Sequence, residues 1–252
     1  ETESLKILIL SLPFDSNWTK MQYKLLGRSG LRVSEICLGT MNFGQEWGYG
    51  ADKDNSRAIF NAYLDAGGNF LDTANRYTEG TSESWLGEFV NESGRRDELV
   101  VASKYSLVTK MNRINDGGNH RKNMMQSVEG SLKRMNLDYM DILWVHMWDF
   151  TTPEDEVMRG LDDLVSSGKV MYIGISDTPA WLISRMNTMA DLRGWNRFIG
   201  LQVEYSLLMR DPERDLLPMA LEMGMGALAW TPQAGGLWLR WARQVGQHLS
   251  SQ

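Results

Sequence analysis

Four side chains in this sequence are of types that move protons, and each falls where a short apolar run gives way to polar residues. Asp72 and Tyr77 stand in "FLDTANRYTEG", Lys104 nearly closes "VVASKY", and His146 nearly closes "ILWVHM". A free tyrosine has a pKa of about 10 and is a poor acid or base at neutral pH. A nearby lysine ammonium favours the phenolate and lowers that pKa, and a carboxylate beside the lysine holds it charged and in place. An adjacent imidazole can hydrogen-bond a substrate oxygen. The set describes a proton donor poised for a carbonyl oxygen that gains negative charge, with the hydride supplied by a cofactor. Each residue alone has a plainer reading. An Asp before a loop is ordinarily a cap, a Lys at a strand end a solvated charge, and a His after Val145 a core histidine with a backbone partner. Their recurrence at the ends of three consecutive apolar runs is what singles them out.

Those runs belong to a regular plan. Strand candidates appear at "SEICLGT", "GNFLDTA", "LVVASKY", "MDILWVHM", "VMYIGIS", "FIGLQVEY" and "GALAW". Between them lie helical signals. Ile59, Ala62, Tyr63 and Ala66 share a helix face closed by Gly67; Met125, Val128, Leu132 and Met135 repeat the spacing. Thr152 reads as an N-cap before Pro153, with Val157, Leu161, Leu164 and Val165 behind it, and Asp211-Pro212 as another helix start, blurred by Pro218. Alternating strands and helices imply right-handed βαβ units and a parallel sheet, in which near-continuous apolar strands are buried on both faces. An open doubly wound sheet and a closed (β/α)₈ barrel both satisfy this pattern. In either, chemistry collects at the C-terminal edge of the strands. Ahead of the plan, "YKLLGRSGLRV" reads as a β-hairpin.

Composition narrows the function classes. The chain has 252 residues, a formal charge of −6 and 42% hydrophobic residues, so nothing generic attracts nucleic acid or an anionic membrane. Its one cysteine, Cys37, excludes an internal disulfide, reads as a small buried hydrophobe and favours a reducing, cytoplasmic setting. No apolar run reaches the roughly 20 residues of a membrane helix. His120, His146 and His248 are isolated, so no metal is expected. "GMGALA" has glycines spaced like a dinucleotide fingerprint but enters a strand instead of leaving one. Residues 1–20 read as an N-terminal extension outside the domain, 21–237 as the domain, and 238–252 as an atypical tail.

Taken together, the motifs resemble the aldo-keto reductase superfamily, whose fold is a TIM barrel. The likeness runs in order over residues 21–237. "LGRSGLRVSEICLGTMNFG" resembles the family's hairpin and first strand, and "FLDTANRYTEGTSESWLGE" its signature. "VVASKY", "DILWVHMWD", "VMYIGISDTPAW", "GLQVEYSLL" and "ALAWTPQAGGL" match later segments. The resemblance implies that Tyr77 is the general acid in NADPH-dependent reduction of an aldehyde or ketone. Lys104 and Asp72 would tune it, Asp72 also lying near the nicotinamide ribose, and His146 would orient the carbonyl. Gly39, Thr40 and Met41 would line the nicotinamide end, and Ser176, Asp177 and Gln202 would bind its carboxamide. Trp230 would stack on the ring. Thr231, Pro232, Gln233, Ala234, Gly235, Gly236 and Leu237 would follow the pyrophosphate. The sequence itself leaves NADP against NAD open. Trp47 and Trp148, in the first and fourth βα loops, are candidates for an apolar substrate pocket or for packing within those loops.

The sequence departs from the family at two places. Asp177 stands where many members carry Asn; an ionised Asp can accept from the carboxamide but cannot donate to it. After Leu237 the text reads "WLRWARQVGQHLSSQ", with no run resembling an eighth strand, so a barrel lacking its eighth βα unit is expected. Trp238, Trp241, Val245 and Leu249 share a helical face in that tail. Seven strands would leave two open edges, to be covered by the tail, by the strand-like run at 5–12, or by a second chain in a homo-oligomer. Two further readings remain beside the enzyme: a cofactor-binding regulatory subunit resembling potassium-channel β subunits, and an inactive truncated homologue.

Overall fold

In a computed structural model of the chain, the structure describes residues 21–111 and 113–237. The run at 5–12, the tail face and His248 lie outside the described residues. The hairpin is present: β1 (Tyr23–Leu25) pairs antiparallel with β2 (Arg32–Ser34). All seven strand candidates form strands: β3 (Leu38–Gly39), β4 (Phe70–Asp72), β5 (Val100–Tyr105), β6 (Met140–Val145), β7 (Val170–Ser176), β8 (Phe198–Glu204) and β9 (Gly226–Trp230). They make one parallel sheet in strictly consecutive order from β3 to β9.

That order decides between the two architectures. A doubly wound sheet reverses direction at a switch point and places helices on both faces. Consecutive right-handed crossovers place every helix on one face, so the other face must close on itself, as in a barrel. The packing agrees. Phe70, Val100, Ala102, Ile142 and Trp144 gather on the inner face with Leu26 and Val33 of the hairpin. Cys37 at one end of the sheet and Leu228 at the other join this same cluster. Leu71, Val101, Leu143 and Val145 face outward into a second cluster shared with the helices. The seven strands thus form a curled, TIM-barrel-type wall. The hairpin covers its lower end. Gly27 adopts φ +58°, and a Cβ there would lie 2.6 Å from the backbone of Ile199, Gly224 and Gly226, so only glycine lets the turn lie this close.

The helices between strands are α1 (Lys53–Asp65), α2 (Thr81–Ser93), α3 (Arg121–Met135), α4 (Glu154–Ser166), α5 (Ala180–Arg193) and α6 (Leu216–Glu222). Three local expectations need correction. In α1 the buried stripe is Ser56, Phe60 and Leu64, with Ile59 and Ala62 exposed; the larger Phe60–Leu64 pair at i, i+4 takes the core. Thr152 does not cap α4, because its hydroxyl donates to Asp149 and Pro153 takes the cap position. Asp211-Pro212 opens only a short 3₁₀ turn; α6 begins at Leu216, with Pro218 in its first turn, where a missing N–H costs nothing. None of the described helices is long and apolar enough to cross a membrane.

Candidate active site

The upper ends of β4, β5 and β6 bring the four singled-out side chains together. Lys104 is fully enclosed and forms the centre. Its ammonium donates to Asp72 Oδ2, to the Thr73 carbonyl at 2.9 Å and to the Tyr77 oxygen at 3.1 Å. All three ammonium protons are therefore spent on acceptors. Because Lys104 donates to the Tyr77 oxygen, the phenol keeps its own proton for another acceptor. The His146 ring meets the Tyr77 ring edge-on, with centroids 5.7 Å apart. Trp47 packs edge-on against Tyr77 on another side, at 6.4 Å.

Electrostatics follow from this enclosure. Burial acts to lower the Lys104 pKa, but Asp72 and Tyr77 outweigh it and hold the lysine charged above its ordinary range. Burial likewise raises Tyr77, and the opposing pull of Lys104 does not reverse it. The expectation of a lysine-lowered tyrosine is thus corrected. Lysine does lower it, but desolvation of a phenolate in the barrel mouth is the larger effect. Tyr77 is a protonated phenol at neutral pH, the form that can donate. His146 is pushed down to about 3 by burial, with Lys104 adding to the shift, so its imidazole is neutral. Its Nδ1 is buried without a hydrogen-bond partner, so this is no core histidine satisfied by the backbone. Burial also raises the Cys37 thiol well above its usual range, with Asp72 adding to the effect; it stands as a thiol.

The backbone that aims Tyr77 is unusual. Thr78, Glu79 and Gly80 are left-handed in succession, with φ of 45°, 57° and 96°. A β-branched residue there costs about 1–3 kcal/mol unless its surroundings hold it. Thr78 is held: its hydroxyl donates to the Phe43 carbonyl at 2.6 Å and accepts from the Ser82 N–H at 3.1 Å. Glu79 accepts from the Trp47 indole at 3.1 Å and pairs with Arg76, which lies over the Trp47 ring. Sequence reasoning missed Thr73, Thr78, Glu79 and Ser82. The only local signal was the crowd of hydroxyls in "YTEGTSE", directly after the tyrosine.

The remaining expected residues divide. Gly39 and Met41 are exposed at the top of β3, whereas Thr40 is fully buried and gives its N–H and hydroxyl to the Asp72 carbonyl; it stands behind the site rather than lining it. Gln202 donates to Asp72 Oδ1 at 3.2 Å, which ties β8 to the centre. Asp177 makes polar contacts with Trp230 and Ser176, and burial holds its carboxyl above the usual range. Trp230 closes β9 partly exposed. Thr231, Pro232, Gln233, Ala234, Gly235, Gly236 and Leu237 form a surface turn after β9, and Thr231, Ala234, Gly235 and Gly236 are left-handed. Trp148 is a correction. It is 5% exposed inside the outer core cluster, where burying a large ring is worth more than lining a pocket. The segment 116–123 is the entry to α3: His120 caps it through Nδ1 to the Asn123 N–H at 3.2 Å. Among the described residues no group of His, Cys, Asp or Glu could hold a metal ion.

The family model for the "Aldo/keto reductase family" matches residues 35–251. The chain is 44% identical over 214 residues to norsolorinic acid reductase of Aspergillus flavus, covering 82% of this chain and 55% of that protein. It is 45% identical over 218 residues to norsolorinic acid reductase B of Dothistroma septosporum, covering 82% and 55%. It is 43% identical over 219 residues to aryl-alcohol dehydrogenase [NADP(+)] of Phanerodontia chrysosporium, covering 82% and 57%. The chain spans about half the length of these curated relatives.

Proposed function

The chain belongs to the aldo/keto reductase family, and from that premise we propose that it reduces an aldehyde or ketone to the alcohol with NADPH. One observation carries the reading: Lys104 bridges Asp72 and Tyr77 while leaving the phenol proton unspent beside a neutral, unpartnered His146. The residues fit the nicotinamide end of such a cofactor. His146, whose ring stands edge-on to the phenol, has a buried Nδ1 with no hydrogen-bond partner, and Trp230 presents a partly exposed ring at the end of β9. Gly39, Met41, Ser176 and Asp177 stand at the ends of β3 and β7, and the turn at 231–237 would follow the phosphates. When bound, the cofactor supplies a hydride to the carbonyl carbon.

The chain's own residues then do the rest. Tyr77 donates its proton to the carbonyl oxygen as negative charge develops there. Lys104 stabilises the phenolate left behind, and Asp72 keeps the lysine charged and placed. His146, neutral, hydrogen-bonds the carbonyl and orients it. The Trp47 ring, edge-on to the phenol and 6.1 Å from the Tyr49 ring, supports an aryl carbonyl as substrate, in line with the name of the aryl-alcohol dehydrogenase relative. Association of two chains through the outer edge of β9 is part of the same proposal. That edge has no strand partner among the described residues.

Tyr77→Phe tests the mechanism. It removes the proton donor but no packing, so NADPH binding, followed by tryptophan fluorescence, is expected to stay within about threefold while turnover falls by at least about a hundredfold. Wild-type turnover in this variant would overturn the assignment.

A further inference from the structure

Behind the Asp72–Lys104–Tyr77 array lies a second cluster built only of hydroxyls. Thr40, Thr73 and Ser82 are all fully buried and come from the end of β3, the end of β4 and the first turn of α2. Ser82 Oγ lies 2.8 Å from Thr40 Oγ1, 2.9 Å from Thr73 Oγ1 and 2.7 Å from the Thr40 carbonyl. Three hydroxyl protons serve these contacts, and the one on Thr40 is shared between Ser82 and the Asp72 carbonyl. Ser82 donates to the Thr40 carbonyl, Thr73 donates to Ser82, and Thr40 donates toward the Asp72 carbonyl at 3.1 Å. Both ends of the cluster are joined to the reacting groups. The Asp72 carbonyl accepts from Thr40, and the Thr73 carbonyl accepts from Lys104. The Ser82 N–H is held by Thr78, one residue past Tyr77.

We propose that Ser82, with Thr40 and Thr73, is a positioning device that fixes the Lys104 ammonium relative to the Tyr77 phenol. None of the three would touch substrate or cofactor. They act through Asp72, Lys104 and the left-handed turn at 78–80. A buried, self-satisfied network resists the small displacements that an array held by one central ammonium cannot tolerate. Loosening it moves the ammonium off the phenol, weakening the one interaction that favours the phenolate. Charged or titratable groups near Tyr77 are Lys104 on β5, Asp72 on β4, His146 after β6 and Asp177 after β7; Cys37 before β3 faces Asp72 and Lys104.

The role of these residues rests on the catalytic reading above, but its test does not. In the cofactor-free chain, the Tyr77 midpoint is read by NMR of ¹³Cζ-labelled tyrosine, its signal assigned by its loss in Tyr77→Phe. Ser82→Ala is expected to raise the midpoint by at least about half a unit. Thr73→Val is expected to do the same, and Thr73→Ser, which keeps the hydroxyl, to leave it in place. Ser103→Ala is the control. Ser103 is equally buried on the strand of Lys104 but donates outward, to Glu83 at 2.6 Å. It is expected to lower thermal stability without moving Tyr77. If Ser82→Ala and Thr73→Val lower stability but leave the midpoint where it is, or if Ser103→Ala shifts it as far, the cluster is ordinary packing and the proposal falls. In turnover, Ser82→Ala and Thr73→Val are expected to lower kcat by about tenfold or more with KM little changed, and Thr73→Ser and Ser103→Ala to leave it near the parent value. A chain without turnover would overturn the catalytic reading while leaving the NMR result to judge the positioning.

Discussion

At the scale of single residues, enclosure rather than proximity sets the chemistry. The pairing of lysine with tyrosine argued for a lowered phenol pKa, yet burial of Tyr77 outweighs it. The result suits an acid better than a base. His146 shows the same physics with a consequence for stability. Unfolded, its imidazole titrates near about 6.5; folded, burial and then Lys104 push it down to about 3. Between those values the unfolded chain binds a proton that the native chain refuses. Stability contributed by this group is therefore intact above about pH 6.5 and is lost progressively as pH falls toward about 3. His146→Gln removes the titration. Thermal midpoints measured from about pH 8 down to about pH 4 are expected to fall more steeply for the parent than for the variant. Equal slopes would show that the imidazole is not held neutral by its surroundings.

At the scale of elements, α2 is held to its neighbours by a buried charge. Glu83 is fully buried, accepting from Ser103 on β5 and from Arg134 on α3, the latter at 2.5 Å. Arg134 is about a third exposed, so the two partners are not equivalent: its side chain keeps 34% of its exposure while that of Glu83 keeps none. Removing the arginine strands a carboxylate in the core, whereas removing the carboxylate leaves a guanidinium that can reach water. Arg134→Ala is therefore expected to cost about 3–5 kcal/mol in urea denaturation. Adding Glu83→Gln should restore part of it, because the amide no longer needs a counter-charge. A loss below about 1 kcal/mol would mean that Glu83 finds another partner. The partners of Glu83 lie 20 and 51 residues away and left no periodic trace in the sequence.

At the scale of the whole molecule, the barrel interior is filled by one side chain more than by any other. Trp144 is fully buried on the inner face of β6, below the reacting groups. β7 and β8 make room for it with glycine: a Cβ on Gly174 would stand 2.3 Å from the indole ring, and one on Gly200 would stand 2.8 Å from it. The clash is with a locked aromatic ring, so it cannot be relieved by a flexible tip. Gly174→Ala is expected to destabilise the chain by about 1–3 kcal/mol or more. In a double-mutant cycle with Trp144→Leu, that penalty should shrink by more than about 1 kcal/mol, since the smaller side chain vacates the space. Simple additivity in denaturant titrations would show that strand and ring do not press on each other.

The sequence by itself determined the seven strands, the hairpin and the four polar groups at the strand ends. These are set by local pattern: runs buried on both faces, turns, and residue types that stand out at a strand's end. The tertiary structure alone decided that the sheet curls into a barrel-type wall instead of winding both ways from a switch point, because that depends on strand order, which no local window contains. It also decided that Trp148 is core, that Thr40 works behind the site, and that Thr40, Thr73 and Ser82 form one cluster. Those three hydroxyls sit on separate elements as far as 42 residues apart, and only folding brings them within 3 Å.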